Sequence, residues 1–331
     1  MAQATGRALT VPRAPIFGRA TVPWQPALQE VEDFGSNPGN LRMYRHVPPR
    51  LPPKAPLVVA LHGCGQTAAS FDHGAGWSTL AKRLGFALLL PEQRRANNFN
   101  RCFDWFSPGD MERDHGEPGS IRQMVDRMVG DHGLDPDRIY VTGLSAGGAM
   151  TSTLLAIYPD VFAGGAIIAG MPYKAAYGKF DALNAMVHGR VRPSIVWAGL
   201  VRAAALRRGR SPKVSIWHGD ADRTVSPVNG AECVKQWVGV HRLARSPSVI
   251  DSVSGHTRNA WVDRAGETLV EEYVVKGMAH GTPVKAGATV AARGSMTAPY
   301  AFDMGIACVE HIAWFWGLSK KRPGRWTKPR R

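Results

Sequence analysis

The sequence predicts an α/β fold in which a mainly parallel central sheet carries helices on both faces. Three observations predict it. Short apolar runs alternate with stretches of helical periodicity along most of the chain. One such run passes through Gly143-Leu144-Ser145-Ala146-Gly147 directly into a helical stretch. Two later runs, Val214 to Trp217 and Thr268 to Val275, open into loops that hold aspartates and a histidine.

Taken in order, residues 1–40 are rich in Pro, Gly and polar residues and lack periodicity, so they read as an irregular leader. One domain is expected over 41–318, followed by a basic, disordered tail over 319–331. Leu57 to Leu61 is apolar throughout and ends at His62-Gly63, as a strand buried on both faces does. Trp77 to Leu84 reads as a short helix. Phe86 to Leu90 reads as a second buried strand, stopped by Pro91. Ser120 is expected to cap a helix reaching His132, with Ile121, Met124, Val125, Met128 and Val129 on one stripe. A strand over Arg138 to Thr142 leads to a helix over Ala146 to Tyr158, ended by Pro159. Strands at Ala166 to Ala169 and Val214 to Trp217 precede a helix at Val228 to Val240. Thr257 to Val262 and Thr268 to Val275 read as two strands joined at Asp263-Arg264-Ala265-Gly266. Ala301 to Leu318 reads as a closing helix. The stretch 175–212 is the least regular and reads as a cap or an insertion over the site.

With 331 residues, 44% of them hydrophobic, the chain can bury one large core. No stretch approaches the roughly eighteen apolar residues of a membrane span. Met1 to Trp24 has arginines but no apolar h-region, so it does not read as an intact secretory signal. The net charge is +15. The tail supplies much of it through Lys320, Lys321, Arg322, Arg325, Lys328, Arg330 and Arg331, with no acid among them. A second basic run comprises Arg202, Arg207, Arg208, Arg210 and Lys213. These runs read as solvated surface, or as attraction to polyanions or anionic lipid; no nucleic-acid partner is expected. The four cysteines, Cys64, Cys102, Cys233 and Cys308, form no C-x-x-C pair, which argues against structural zinc. Their even number permits two disulfides. Neither a metal nor an organic cofactor is expected, and nothing in the sequence bears on oligomeric state.

Gly143-Leu144-Ser145-Ala146-Gly147 lies between an apolar strand and a helix of small residues, the context in which G-x-S-x-G presents a nucleophilic serine on a strained turn. The turn brings the residues two before and two after the serine together, so both must be tiny. The helix N-terminus adds backbone N–H groups and partial positive charge beside the hydroxyl. The other reading is a Gly/Ser loop that caps a helix.

A serine hydroxyl needs a base. In this fold the partners follow in the order Ser, acid, His. The histidines after Ser145 are His188, His218, His241, His256, His280 and His311. His280 follows a strand within Gly277-Met278-Ala279-His280-Gly281, where a loop can hold an imidazole over the sheet. His311 reads as a helix-face residue. The acid comes from Gly219-Asp220-Ala221-Asp222. Asp222 lies further along the loop and is assigned as the orienting acid, while Asp220 reads as a partner of the loop backbone. Two oxyanion donors are needed. They are assigned to the N–H of Ala146 and the N–H of Cys64 in His62-Gly63-Cys64-Gly65-Gln66; His62 itself reads as structural.

LHGCGQ, LLPEQ, RCFDWF, GLSAGGAM, YPDVFAGGAIIAGMPY, WHGDADRTV and VVKGMAHG occur in the order found in poly(3-hydroxybutyrate) depolymerase-like esterases of the α/β-hydrolase superfamily, which the chain resembles from about residue 40 to 318. The resemblance implies a serine carboxylesterase of an extracellular type acting on polyester, with feruloyl and acetylxylan esterases as relatives. It implies Ser145, Asp222 and His280 as catalytic triad, and a disulfide between Cys64 and Cys102. The chain departs from the family in reading His280-Gly281-Thr282-Pro283, where an aromatic residue and more glycines often follow the histidine. It also carries no evident substrate-binding appendage. Trp77, Trp105, Phe106 and Trp261 read as cleft lining for an apolar ester or as packing. Rival readings are a peptidase or thioesterase on the same fold, and a non-catalytic binder of polyanions or polyester granules through the basic tail.

Overall fold

The run Leu57–Leu61 is buried along its whole length because helices cover both faces of the sheet it belongs to. A computed structural model describes residues 28–205, 211–286 and 298–327. The strands in chain order are β1 (Gln29–Val31), β2 (Arg42–His46), β3 (Leu57–Leu61), β4 (Ala87–Glu92), β5 (Ile139–Leu144), β6 (Gly164–Ile168), β7 (Lys213–Gly219), β8 (Val249–Val253), β9 (His256–Val262), β10 (Thr268–Val275), β11 (Thr282–Val284), β12 (Ala301–Asp303) and β13 (Trp326–Thr327). The helices are α1 (Ala68–Ala75), α2 (Trp77–Leu84), α3 (Gly116–His132), α4 (Ala146–Ile157), α5 (Lys179–His188), α6 (Ser194–Ala204), α7 (Val228–Val240) and α8 (Cys308–Phe315).

Among the described residues, eleven strands form one sheet in the order β1-β2-β4-β3-β5-β6-β7-β10-β9-β8-β13. The six central strands, β4 to β10 in that order, run parallel. Antiparallel strands flank them on both sides. Side-chain alternation divides the core. Leu57, Val59, Leu61, Ile139 and Val141 face a cluster with α3, α4, α6 and α7. Val58, Ala60, Tyr140 and Leu144 face the other, with α1, α2 and α8.

The structure corrects several expectations. The leader is not irregular up to residue 40, because Gln29–Val31 pairs with Met43–Arg45; residues 1–27 lie outside the described residues. Strand β4 continues through Pro91 to Glu92. Its pairing with β3 ends at Leu89, while Met43 of β2 stands opposite Pro91, so the missing N–H breaks no ladder with β3. Ser120 does not cap its helix. Helix α3 already starts at Gly116, with Pro118 tolerated in its first turn, and Ser120 Oγ instead accepts the Gly39 N–H at 2.8 Å. The closing helix is confined to Cys308–Phe315. Residues Ala301–Asp303 pair with Thr282–Val284, and Gly305, at φ +68°, separates strand from helix. The tail is not disordered as far as it is described: Trp326–Thr327 pairs with β8, and the Arg322 guanidinium lies 3.4 Å from the centre of the Trp326 ring. Lys328, Arg330, Arg331, Arg207, Arg208 and Arg210 lie outside the described residues. The stretch expected to be least regular contains α5 and α6. No helix among the described residues is long and apolar enough to cross a membrane.

Two close approaches shape the edge of the sheet where β3, β4 and β5 end. A Cβ on Gly143 would lie 2.3 Å from the Gly147 carbonyl oxygen, and one on Gly147 would lie 2.4 Å from that of Leu61. Beside them, His62 Nδ1 donates to the Gly63 carbonyl at 2.8 Å, and His62 Nε2 accepts the Gln93 N–H at 3.0 Å. These partners require the neutral ring, and burial pushes its pKa down to about 4. Gln93 in turn donates through Nε2 to Cys102 O and to the buried Glu117 carboxyl. Burial, together with the nearby charges of Asp110 and Asp104, holds the Glu117 carboxyl well above the usual carboxylate range.

A Gly143→Ala substitution should therefore cost about 2–4 kcal/mol, read as a lowered urea midpoint, since the obstruction is backbone that cannot swing away. The depressed pKa of His62 makes its contribution, about 3 kcal/mol, fully present above pH about 6.5 and lost as pH falls through about 4. Urea titrations between pH 7 and 4 should show this acid limb, and it should be shallower in His62→Asn.

Candidate active site

Parallel strands place their C-terminal ends on one side of the sheet, and in open α/β sheets that side receives ligands. Ser145, Asp222 and His280 follow β5, β7 and β10 respectively, so all three emerge there.

Ser145 stands at φ +57° and ψ −117°, between the last residue of β5 and the first of α4. That conformation is costly for a residue with a Cβ, on the order of 1–3 kcal/mol. The Ser145 N–H donates to Ile168 O at 2.9 Å and its carbonyl accepts the Ala149 N–H at 2.9 Å. These bonds, with the glycine contacts around them, hold the turn. Among the described residues the Ser145 hydroxyl makes no hydrogen bond, and the residue keeps 9% of its surface exposed.

Asp222 and His280 meet directly. His280 Nδ1 lies 2.7 Å from Asp222 Oδ2. A carboxylate only accepts, so the proton sits on Nδ1 and the lone pair on Nε2. The other oxygen, Oδ1, accepts the N–H groups of Thr224 at 2.8 Å and Val225 at 2.9 Å. Burial works to raise the Asp222 pKa. The hydrogen bonds from His218 and His280, the His280 charge and the Val225 N–H outweigh it, holding the carboxyl well below the usual range. Asp220 is placed differently: its Oδ1 accepts the Gly277 N–H, at 2.6 Å, and ties the β7 loop to the β10 loop.

The second wall is the loop after β3. The Gly63 N–H donates to Gln66 Oε1 at 2.8 Å, and Gln66 Nε2 reaches Pro299 O at 3.2 Å. Cys64 is joined to Cys102 by a disulfide of S–S 2.12 Å, and the Gly65 N–H donates to Asn100 O at 2.6 Å. The loop is thus fastened to the RCFDWF segment. Neither the Cys64 nor the Ala146 N–H has a hydrogen-bond partner among the described residues, which leaves both able to bind an oxyanion. The other two cysteines, Cys233 and Cys308, are buried free thiols.

The three tryptophans expected in the cleft fare differently from these groups. Trp77 is fully buried, stacked 6.0 Å from Trp316 and edge-on to Phe86, so it belongs to the core of the α1–α2–α8 face. Trp261 lies on β9, four strands from β5 and hence about 19 Å away. Its indole faces the loop after α7, with Nε1 3.4 Å from Arg245 O. Trp105 is 4% exposed and packs edge-on against Phe106, near the disulfide.

Three residues at the site escaped the sequence reading of roles. His218 Nε2 donates to Val225 O at 2.9 Å and lies 3.4 Å from Asp222 Oδ2. Its spacing of four residues from Asp222 was the only available hint. Gln66 links the β3 loop to residue 299. Tyr300 stands edge-on to the His280 ring with centroids 6.2 Å apart, and the Thr282 N–H donates to its carbonyl at 2.7 Å. An aromatic ring thus reaches the histidine from β12's approach rather than from the residues just after it, and no local motif announces that.

This geometry can be set beside known proteins. The family model described as esterase PHB depolymerase matches residues 44–272. The chain is 46% identical over 293 residues to poly(3-hydroxyalkanoate) depolymerase C of Paucimonas lemoignei, covering 88% of this chain and 70% of that protein. It is 31% identical over 266 residues to feruloyl esterase B of Talaromyces funiculosus, covering 78% and 74%. Among solved structures, the acetyl xylan esterase from Aspergillus awamori superposes with a TM-score of 0.74 at 25% identity, over 88% of this chain and 100% of that one. With its α/β-hydrolase fold and these relatives, the chain belongs to the esterase PHB depolymerase family and is a carboxylic ester hydrolase.

Proposed function

We propose that the enzyme cleaves hydroxyalkanoate polyester or oligoester, with Ser145 as nucleophile, His280 as general base and Asp222 as the carboxylate that orients the base. The observation that carries the assignment of roles is the 2.7 Å bond between His280 Nδ1 and a carboxylate held in its charged form. That bond fixes the tautomer with a basic Nε2 and stabilises the imidazolium once it forms. Ser145 Oγ attacks the ester carbonyl carbon as its proton passes to His280 Nε2. The carbonyl oxygen becomes an oxyanion, received by the Cys64 and Ala146 N–H groups. Collapse breaks the ester C–O bond, and His280 returns the proton to the departing alkoxide. Water then repeats the sequence on the acyl-enzyme, freeing a carboxylic acid and restoring Ser145.

The polyester substrate is supported by the 46% identity to a protein named for that activity. A second reading, an acyl group esterified to a polysaccharide, is favoured by the superposition of 88% of this chain on an acetyl xylan esterase and by the feruloyl esterase relatives. The chemistry at Ser145 is common to both; the alcohol that leaves is not.

Ser145→Ala should lower kcat on short p-nitrophenyl esters by about 10³-fold or more, and Asp222→Asn by about 10³–10⁴-fold through the wrong tautomer. Retained turnover in Ser145→Ala would end the mechanism. A panel of hydroxybutyrate oligomers, amorphous polymer, and feruloylated and acetylated sugars separates the two substrates by kcat/KM. The polyester reading requires the hydroxybutyrate members to lead.

A further inference from the structure

Helix α5 is attached to the active-site walls at both ends. At its start, the Gly178 N–H donates to Phe106 O at 2.9 Å, on the RCFDWF side. At its end, the Ser226 N–H donates to Met186 O at 2.7 Å, and Asn229 Nδ2 donates to Ala185 O at 2.9 Å, on the Asp222 side. Only Ala182 and Ala185, both small, are buried on the helix's inner face. Met186 packs partly against the core, while three other large apolar residues point the other way. Phe180 is 91% exposed, Leu183 58% and Val187 57%, at the i, i+3, i+7 spacing of a single stripe. Ile195, at the start of α6, is 78% exposed, and Tyr177 and Val191 are exposed beside them. Apolar side chains concentrated on one face in this way mark a contact surface, whereas scattered ones need no explanation.

Charge indicates what covers it. Residues 174–204 contain Lys174, Lys179, Arg190, Arg192 and Arg202 but a single acid, Asp181, which is paired with Arg190. A second copy of this chain would set cations against cations. An insoluble polyester presents the complementary surface: alkyl-bearing chain studded with carboxylates at chain ends, to which every cleavage adds one.

We propose that the outward face of α5 and the start of α6 adsorbs the enzyme to solid polyester, holding the active-site edge against the polymer. This rests on the polyester reading of the site. The face is separate from the acyl-transfer residues, so it acts on attachment and leaves the chemical step alone.

The test uses a triple variant, Phe180→Ser, Leu183→Ser and Ile195→Ser, in the otherwise intact chain. Depletion from solution by poly(3-hydroxybutyrate) particles is measured in a Ser145→Ala background, so that binding is read without turnover. The triple variant should bind about tenfold or more weakly. With Ser145 restored, it should hydrolyse soluble hydroxybutyrate oligomers as the parent does and lose activity on particles. Equal depletion by the particles would overturn the proposal. So would tighter binding to phosphatidylglycerol vesicles than to polyester, or a dimer in sedimentation that the triple variant abolishes. Failure of the parent enzyme to cleave soluble oligomers would overturn the substrate reading instead, and the depletion assay would still decide the surface.

Discussion

The constraint on which the rest depends is the close backbone contact where β5 turns into α4. Ser145 adopts a positive φ at a real energetic cost, and it is held there because the chain on either side can approach almost to contact. Gly143 and Gly147 lie against each other, and Gly147 lies against the carbonyls of Leu61 and His62. One turn therefore does three things. It lifts the serine above the sheet edge, exposes the N–H of Ala146 at a helix start, and seats both against the end of β3, whose loop brings the N–H of Cys64. Side chains larger than hydrogen at those two glycines would push the Ser145 turn away from the end of β3 and its loop.

Around this turn, electrostatics is arranged by burial opposed with specific bonds. Asp222 is removed from water, which alone would favour its neutral form, yet the hydrogen bonds from His218, His280 and Val225 and the His280 charge keep it anionic. Burial next to the carboxyls of Asp110 and Asp104 pushes the Glu117 carboxyl well above the usual carboxylate range. His62 is neutral for the same reason of burial. The outcome is a charged carboxylate directed at His280 and a wall behind the β3 loop held by the hydrogen bonds of His62, Gln93 and Glu117. A disulfide and the Gln66 bridge fasten that loop to segments far away in the chain.

Much of this was legible in the sequence because its signals are local. The elbow is a five-residue motif with strand before and helix after. The central strands are apolar runs, since both their faces are buried. Asp220 and Asp222 could be told apart by position along the loop, and the structure gives them different partners: the Gly277 backbone for one, His280 for the other. What was not legible depends on partners distant in sequence. The edge strand Gln29–Val31 and its neighbour Arg42–His46 carry charged residues with little apolar alternation and exist because adjoining strands complete their ladders. Trp77 and Trp261 look like cleft residues only until burial and strand order place them. Tyr300 reaches His280 through the pairing of two three-residue strands, which no periodicity reveals.

The central claim is that Ser145 is made nucleophilic by His280 across the sheet edge. Reaction with a fluorophosphonate, followed by intact-mass and peptide mapping, tests it most directly. The account predicts one adduct per chain, located on the peptide containing Ser145, with labelling slowed by orders of magnitude in His280→Ala. An adduct on another residue, or labelling of Ser145 that proceeds equally well without His280, would contradict it.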